Sequence, residues 1–343
     1  MSRAAYYEGA RQFKVQNTAS TPPQAGEVQV EVAYTGLCGT DLHILHGAMD
    51  SRVSIPAVIG HEMSGFVAAV GEGVEGWSPG DLITVMPLDW CGTCPACLAG
   101  YRHICQRLNF VGIDSPGSLQ QRWNVRAEWL VRVPANLSAR GAALAEPTAV
   151  AVHDVRRAEL RLGEQALVIG GGPIGVLVAI TARAAGADVV VAEPDEFRRK
   201  VAESLFFPTV DPAAAVVSDY VEKWTGGAGA DVVFEVSGSQ PGLDSAIASL
   251  GVRGRMVVVG IHPVAREISL HRIFWRELSV VGARVYERTD FETALELLAA
   301  GTIPTDVLIS RVVPLNLISD AFSAMEAGGE VMKILLDCQA TAG

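Results

Sequence analysis

The sequence predicts a two-domain α/β protein, with an irregular β-rich domain first and a doubly wound parallel sheet after it. Three observations predict this. A glycine-rich turn, Gly170 to Gly175, lies between a short apolar run and a helix-like stretch. From there, strand-like and helix-like runs alternate as far as Val281, the pattern of a parallel sheet with crossover helices. Before it, short strand-like runs are separated by glycine turns. At 343 residues the chain is also too long for one ordinary core.

The first run, Glu27 to Tyr34, alternates Val28, Val30 and Val32 with polar or small neighbours, so it is a strand with one buried face. It delivers Cys38 into a glycine-containing loop. Met63 to Val70 is a second strand, closed by Gly71-Glu72-Gly73, and Gly80-Asp81 leads into a third at Leu82 to Val85. A closing strand fits Val131 to Val133. Together these suggest an SH3-like or partly opened barrel. Ala145-Glu146-Pro147 then precedes an apolar, helix-like stretch from Thr148 to Val155.

In the second half, strands are expected at Gln165 to Ile169, Asp188 to Ala192, Asp231 to Glu235, Arg255 to Val259 and Glu277 to Val281. Helices are expected after Gly175 as far as Ala185, then at Glu196 to Leu205, Ala213 to Trp224 and Leu243 to Leu250. A further helix, Phe291 to Ala300, has cap candidates at Asp290 and Gly301. The sequence suggests no disordered tail longer than Gln339 to Gly343, and Cys338 is assigned no role.

Composition excludes several classes. A net charge of −11, from 27 basic and 38 acidic residues, argues against non-specific nucleic-acid binding. No apolar run reaches the ~18 residues that suggest a membrane span. The residues after Met1 show no charged-then-apolar leader. Four of the six cysteines cluster at metal-ligand spacing, which points to a reducing cytoplasm rather than a disulfide framework.

Three clusters carry chemistry. Cys38 offers a thiolate, His61 an imidazole nitrogen and Glu62 a carboxylate, with Gly39 and Gly60 as neighbours. Zinc takes such S, N and O donors, and a catalytic site keeps one position open. Cys91, Cys94, Cys97 and Cys105 offer four thiolates, enough to close a tetrahedral structural zinc site. The bland alternative is four free or disulfide-bonded cysteines in a loop. His103, inside that lobe, is expected at the surface. Third, the turn at Gly170, Gly172, Pro173, Ile174 and Gly175 follows a strand and opens a helix, with Glu193 at the end of the next strand. This is the dinucleotide-binding fingerprint: glycines for close approach, helix N–H groups for the pyrophosphate, an acid for the ribose hydroxyls.

Cys38-Gly-Thr-Asp-x-His43 followed by Gly60-His61-Glu62 resembles the zinc-dependent medium-chain alcohol dehydrogenases, and the likeness extends over nearly the whole chain. The resemblance implies a GroES-like catalytic domain over 1–148, a Rossmann domain over 149–285, and a return to the first domain over 286–343. It implies Cys38 and His61 as ligands of a catalytic zinc, and Thr40 and His43 as the relay that carries the alcohol proton to solvent. Glu146 stands where the polyol and threonine dehydrogenase branch places a glutamate in the zinc set. From the residues alone Glu146 is equally a helix-start glutamate favoured by the helix dipole. Glu62 follows His61 directly, so the two are not expected to point easily at one ion.

The expected cofactors are two zinc ions per chain and NAD. Glu193 would repel a 2′-phosphate, whereas Arg198 and Arg199 could pair with one. Arg198, Gly260 and Ile261 complete the expected cofactor-binding set. The expected reaction is hydride transfer from a secondary alcohol of a small polar substrate: a polyol, a diol or a hydroxy-amino acid. Sorbitol itself fits poorly, because Ile44 replaces a tyrosine and Arg284 is displaced from Tyr286 by Val285. The alternatives are a zinc-free quinone or enone reductase of the same superfamily, or a non-catalytic dinucleotide-binding protein. A homodimer or homotetramer is implied by the resemblance.

Overall fold

A computed structural model describes residues 2–340; the last three positions of the Gln339–Gly343 tail lie outside the described residues. The chain forms two compact units, one of Met1–Glu146 with Glu287–Gly343, the other of Pro147–Tyr286.

The first unit begins with an antiparallel hairpin, β1 (Ser2–Tyr7) and β2 (Phe13–Thr18). Then come β3 (Glu27–Gly36), α1 (Gly39–Leu45), β4 (Glu62–Val70), β5 (Leu82–Val85) and β6 (Leu88–Asp89). They are followed by α2 (Pro95–Leu98), β7 (Asn109–Phe110), β8 (Arg122–Arg126), β9 (Leu130–Arg132) and α3 (Ala139–Ala142); α4 (Ala145–Arg157) starts at the boundary and belongs to the second unit from Pro147 onward. The alternation in β3 is as the sequence implies: Val28, Val30 and Val32 are wholly buried. Full burial of such a side chain contributes about 1.5–3 kcal/mol, which makes β3 the spine of this unit.

The second unit holds β10 (Gln165–Ile169), α5 (Pro173–Ala184), β11 (Asp188–Ala192), α6 (Glu196–Ser204) and β12 (Thr209–Val210). It continues with α7 (Val217–Trp224), β13 (Ala230–Glu235), α8 (Gln240–Ser249), β14 (Leu250–Val258), α9 (Leu270–Arg276) and β15 (Ser279–Gly282). The six strands are parallel, in the order β12-β11-β10-β13-β14-β15. This is the doubly wound arrangement. Its central strands are continuous apolar runs because both faces are covered: Ala166 to Ile169 and Val189 to Ala192 are all buried.

The chain then rejoins the first unit through α10 (Arg288–Ala299), α11 (Thr305–Leu308), β16 (Ile309–Pro314), α12 (Ile318–Ala327) and β17 (Lys333–Asp337). The seven-stranded sheet there runs β16-β17-β3-β4-β5-β9, with β8 also paired to β3. β17 lies antiparallel to β3, Leu335 opposite Gly36. On the other side of β3, Gly36 faces Glu62 of β4. The end of β3 therefore sits between the start of β4 and the start of β17, and this placement builds the site.

Several sequence-based boundaries shift. Cys38 lies in the short loop after β3, as expected, and there it caps α1. The helix expected to start at Phe291, with Asp290 as its cap, starts at Arg288, with Glu287 as N-cap and Asp290 accepting from the Glu287 N–H. The pair forms a capping box, and this is why Asp290 reads as a cap in the sequence. Glu277, expected in a strand, ends α9 in a left-handed conformation, so β15 begins at Ser279. Helix α7 begins at Val217, four residues later than expected, because Asp211 holds the preceding backbone in a turn.

Candidate metal centre and dinucleotide site

Cys38 is the N-cap of α1. Its sulfur accepts from the Thr40 N–H at 3.5 Å, and Asp41 Oδ2 accepts from the Cys38 N–H at 2.9 Å. This reciprocal box fixes the Cys38 sulfur at the N-terminus of α1. Ile44 and Leu45 anchor the helix in the core, while Thr40 is half-buried and His43 exposed. The i, i+3 spacing puts Thr40 and His43 on one side of α1.

His61 and Glu62 reach the same place from β4. Gly60 has φ +104°, and a Cβ there would lie 2.9 Å from Leu119 Cγ and 3.0 Å from Ser118 Oγ. Only glycine fits this left-handed, crowded position. The turn it makes keeps His61 out of the strand alternation. His61 and Glu62 consequently face one point, contrary to the expectation from their adjacency. Ligand atoms of Cys38, His61 and Glu62 all lie within 4.8 Å of one another. His61 is buried, edge-on to the Phe110 ring at 5.3 Å.

Three carboxylates gather around this point. Asp41 and Glu62 are fully buried, and Glu146 is 5% exposed in the first turn of α4. His61 Nδ1 stands 3.8 Å from Asp41 Oδ1, and each of these two atoms is buried without a hydrogen bond. Burial lowers the His61 pKa, but the Asp41 charge, the bond to Cys38, the Cys38 charge and the Glu146 charge together raise it to about 10. Asp41 is itself pushed up by burial, against the pull of His61 and the Cys38 N–H. The S, N and O donors that meet there, with His61 Nδ1 and Asp41 Oδ1 buried beside them without a hydrogen bond, fit zinc.

Sequence reasoning missed Lys333. It is 4% exposed, and its ammonium bonds both oxygens of Glu62. Burial lowers its pKa, but Glu62, Cys38 and Glu146 more than reverse that, and the net shift is upward. A lysine at the head of the apolar run Ile334-Leu335-Leu336 was the available signal.

The four-cysteine lobe forms a second cluster. Sulfurs of Cys91, Cys94, Cys97 and Cys105 lie within 4.8 Å of one another, and all four thiols are free. The sulfurs of Cys94 and Cys105 are 3.8 Å apart and those of Cys105 and Cys91 3.5 Å, far beyond a disulfide bond. Backbone N–H groups of Cys91 and Arg107 point at the Cys105 sulfur at 3.4 and 3.3 Å. Hydrogen bonds from Thr93 and Cys94, opposed by burial, help bring the Cys91 pKa down to about 5. These features suit four thiolates around a closed zinc site. His103 is not at the surface as expected: it is 7% exposed, with Nδ1 3.6 Å from Glu287 Oε1. The 3₁₀ turn Arg102–Ile104 folds it inward.

In the second unit the glycine turn joins β10 to α5. Gly170 has φ +102°, and a Cβ on Gly175 would lie 1.8 Å from the Gly170 carbonyl. Gly172 is the N-cap and Pro173 occupies the first turn with Ile174, leaving helix N–H groups free for a phosphate. Glu193 is buried at the end of β11. Its oxygens accept from the Gly171 N–H at 2.5 Å and the Asp195 N–H at 2.9 Å. Arg198 Nη1 comes within 3.7 Å of a Cβ built on Gly172, so its guanidinium borders the turn. Arg199 is turned elsewhere, to the Glu193 and Pro194 carbonyls and to Asp211. Gly260 and the exposed Ile261 follow β14, at the same carboxyl edge of the sheet.

A metal centre on a β-rich unit, joined to a doubly wound dinucleotide unit, defines a metal-dependent dehydrogenase. Comparison with known proteins agrees. Residues 24–135 match the alcohol dehydrogenase GroES-like domain and residues 173–300 the zinc-binding dehydrogenase domain. The chain is 51% identical over 337 residues to a 2-dehydro-3-deoxy-L-galactonate 5-dehydrogenase of Pseudoalteromonas atlantica, covering 98% of this chain and 99% of the relative. It is 32% identical to a sorbitol dehydrogenase of Halalkalibacterium halodurans, covering 96% of each. Among solved structures, the 2R,3R-butanediol dehydrogenase of Bacillus subtilis superposes with a TM-score of 0.91 at 32% identity, covering 98% of this chain and 99% of that one. A zinc-binding dehydrogenase of Sinorhizobium meliloti, solved with NADP, gives the same score, identity and coverage.

The chain belongs to the zinc-binding alcohol dehydrogenase family, in its polyol dehydrogenase branch. It is an oxidoreductase that uses zinc and NAD(P), and the zinc-free reductase and non-catalytic alternatives fall away.

Proposed function

We propose that the protein oxidises a secondary hydroxyl of a small sugar acid with NAD. Zinc held by Cys38 and His61, with Glu62 and Glu146 beside it, would supply Lewis acidity that lowers the pKa of the alcohol. Thr40 accepts the hydroxyl proton, and His43, exposed on the same side of α1, passes it to water. Bound NAD would supply the hydride acceptor. Cys91, Cys94, Cys97 and Cys105 would hold the second, structural zinc. The observation that carries the reading is the convergence of Cys38, His61 and Glu62 within 4.8 Å. The sugar acid is favoured because the relative sharing half of all residues bears a galactonate-type substrate in its name.

NAD is preferred to NADP on this reading. The Glu193 carboxylate faces the glycine turn, and of the two arginines that could balance a 2′-phosphate, Arg199 is already committed. A homo-oligomer in the cytoplasm is also proposed. Free thiols suit a reducing compartment. The open sheet edge β15, with Phe274 and Trp275 of α9 exposed at 78% and 73%, suits a partner copy. The test is a panel of 2-keto-3-deoxy sugar acids, aldonates, polyols and diols, assayed with NAD and with NADP. The highest kcat/KM is expected for a sugar acid with NAD, and a polyol or diol well ahead of every acid would overturn the substrate assignment.

A further inference from the structure

Lys333 and Glu62 meet across Gly36. The sheet register places Gly36 opposite Glu62 on one side and Leu335 on the other, so the start of β17 and the start of β4 flank a residue with no side chain. A Cβ at position 36 would lie 2.4 Å from Glu62 Oε2, so the carboxylate rests directly on the Gly36 backbone. From the opposite strand Lys333 Nζ donates to Glu62 Oε1 at 2.8 Å, to Glu62 Oε2 at 2.7 Å and to the Leu37 carbonyl at 3.1 Å. All three ammonium protons are thereby used, and both Glu62 oxygens are held by one cation. Lys333 and Glu62 are each almost fully buried.

A buried carboxylate this close to the donor atoms of Cys38 and His61 would ordinarily bind a divalent ion placed among them. An ammonium at 2.7–2.8 Å competes with that ion for the same oxygens. We propose that Lys333 is a positioning residue which holds Glu62 away from permanent metal ligation and so keeps one coordination position free for substrate. The proposal rests on the reading that Cys38, His61 and Glu62 surround the catalytic zinc. It makes Glu62 a carboxylate in reserve: neutralised by its lysine, yet within reach of the ion.

The two roles open to Lys333 predict opposite signs. If the lysine only supports the fold, Lys333→Met loosens the site and zinc binds more weakly. If it withholds Glu62, the same variant releases an anionic ligand and zinc binds more tightly. The measurement is zinc affinity at the more labile site, by competition with a chromogenic chelator, for wild type, Lys333→Met, Glu62→Gln and the double variant. Cobalt exchanged into that site is followed by its visible spectrum. At least tenfold tighter binding in Lys333→Met is expected, with cobalt bands weakened as a ligand is added. The double variant should return both toward wild type. Unchanged or weaker binding in Lys333→Met, with an unchanged cobalt spectrum, overturns the proposal. If Lys333→Met does not fold, the double variant leaves no charge unpaired and is compared with Glu62→Gln alone. There, removing the lysine should change zinc affinity by much less than tenfold once the carboxylate is gone, and a large change overturns the proposal. One zinc per chain in wild type would instead defeat the underlying site reading, a separate outcome.

Discussion

Asp41→Asn separates charge from shape at the metal centre. Asparagine keeps an oxygen that can accept from the Cys38 N–H, now 2.9 Å from Asp41 Oδ2, so the α1 cap survives. What it removes is the negative charge 3.8 Å from His61 Nδ1. At that distance two unit charges interact by about 4 kcal/mol at an effective dielectric of ~20. Asp41 is wholly buried, and its desolvation offsets much of that sum. The part that remains is the usual effect of a carboxylate behind a metal-ligating histidine, ten- to a hundredfold in affinity, or about 1.4–2.7 kcal/mol. The assay is zinc competition at the labile site, with thermal melting beside it. Affinity should fall by that factor, and the melting temperature of metal-free protein at neutral pH should fall as well, because Asp41 is the leading charge that holds His61 protonated. Affinity within twofold of wild type would refute the reasoning, because His61 would then need no anionic partner.

Metal-free protein should lose stability as pH rises from neutrality toward 10. The folded His61 pKa of about 10 lies above the ordinary 6.5, so its contribution is fully present below 6.5 and is lost as pH climbs through 10; melting midpoints rising over that range would contradict the assignment. Cys97→Ser should release one zinc and lower the melting temperature by roughly 5–10 °C, since a closed site contributes folding energy. Equal metal content in mutant and wild type would count against the lobe as a zinc site. Glu146→Ala should weaken the labile zinc and reduce kcat while the four-cysteine zinc stays, whereas two bound zincs with undiminished turnover would return Glu146 to a helix-start role. The ratio of kcat/KM for NAD over NADP should exceed about tenfold, and parity would show that Glu193 does not select.

Legibility in the sequence followed the physics of each element. The parallel sheet was readable because its strands are buried on both faces, so Gln165–Ile169 and Asp188–Ala192 stand out as apolar runs with glycine or acid after them. The Cys38 and four-cysteine clusters were readable because metal ligands bring their own spacing. Lys333 was not, because its partner Glu62 is 271 residues away and only the β17–β3–β4 register joins them. The convergence of His61 and Glu62 was hidden because it depends on the φ of Gly60, which no side-chain pattern encodes. Helix α9 escaped notice because it is short and buries no residue fully, though Ile273 packs against the core. His103 looked like a surface residue among exposed neighbours until a 3₁₀ turn rotated it inward.

The central claim is that Cys38, His61 and Glu62 surround a zinc ion on which alcohol oxidation depends. Its most direct test is zinc per chain measured on the same samples as the rate of NAD reduction with the best sugar acid, for wild type and Cys38→Ala. Two zincs and turnover in wild type, with one zinc and no detectable turnover in Cys38→Ala, is the predicted result. Turnover in Cys38→Ala at the wild-type rate, or a wild type fully active with a single zinc, would contradict it.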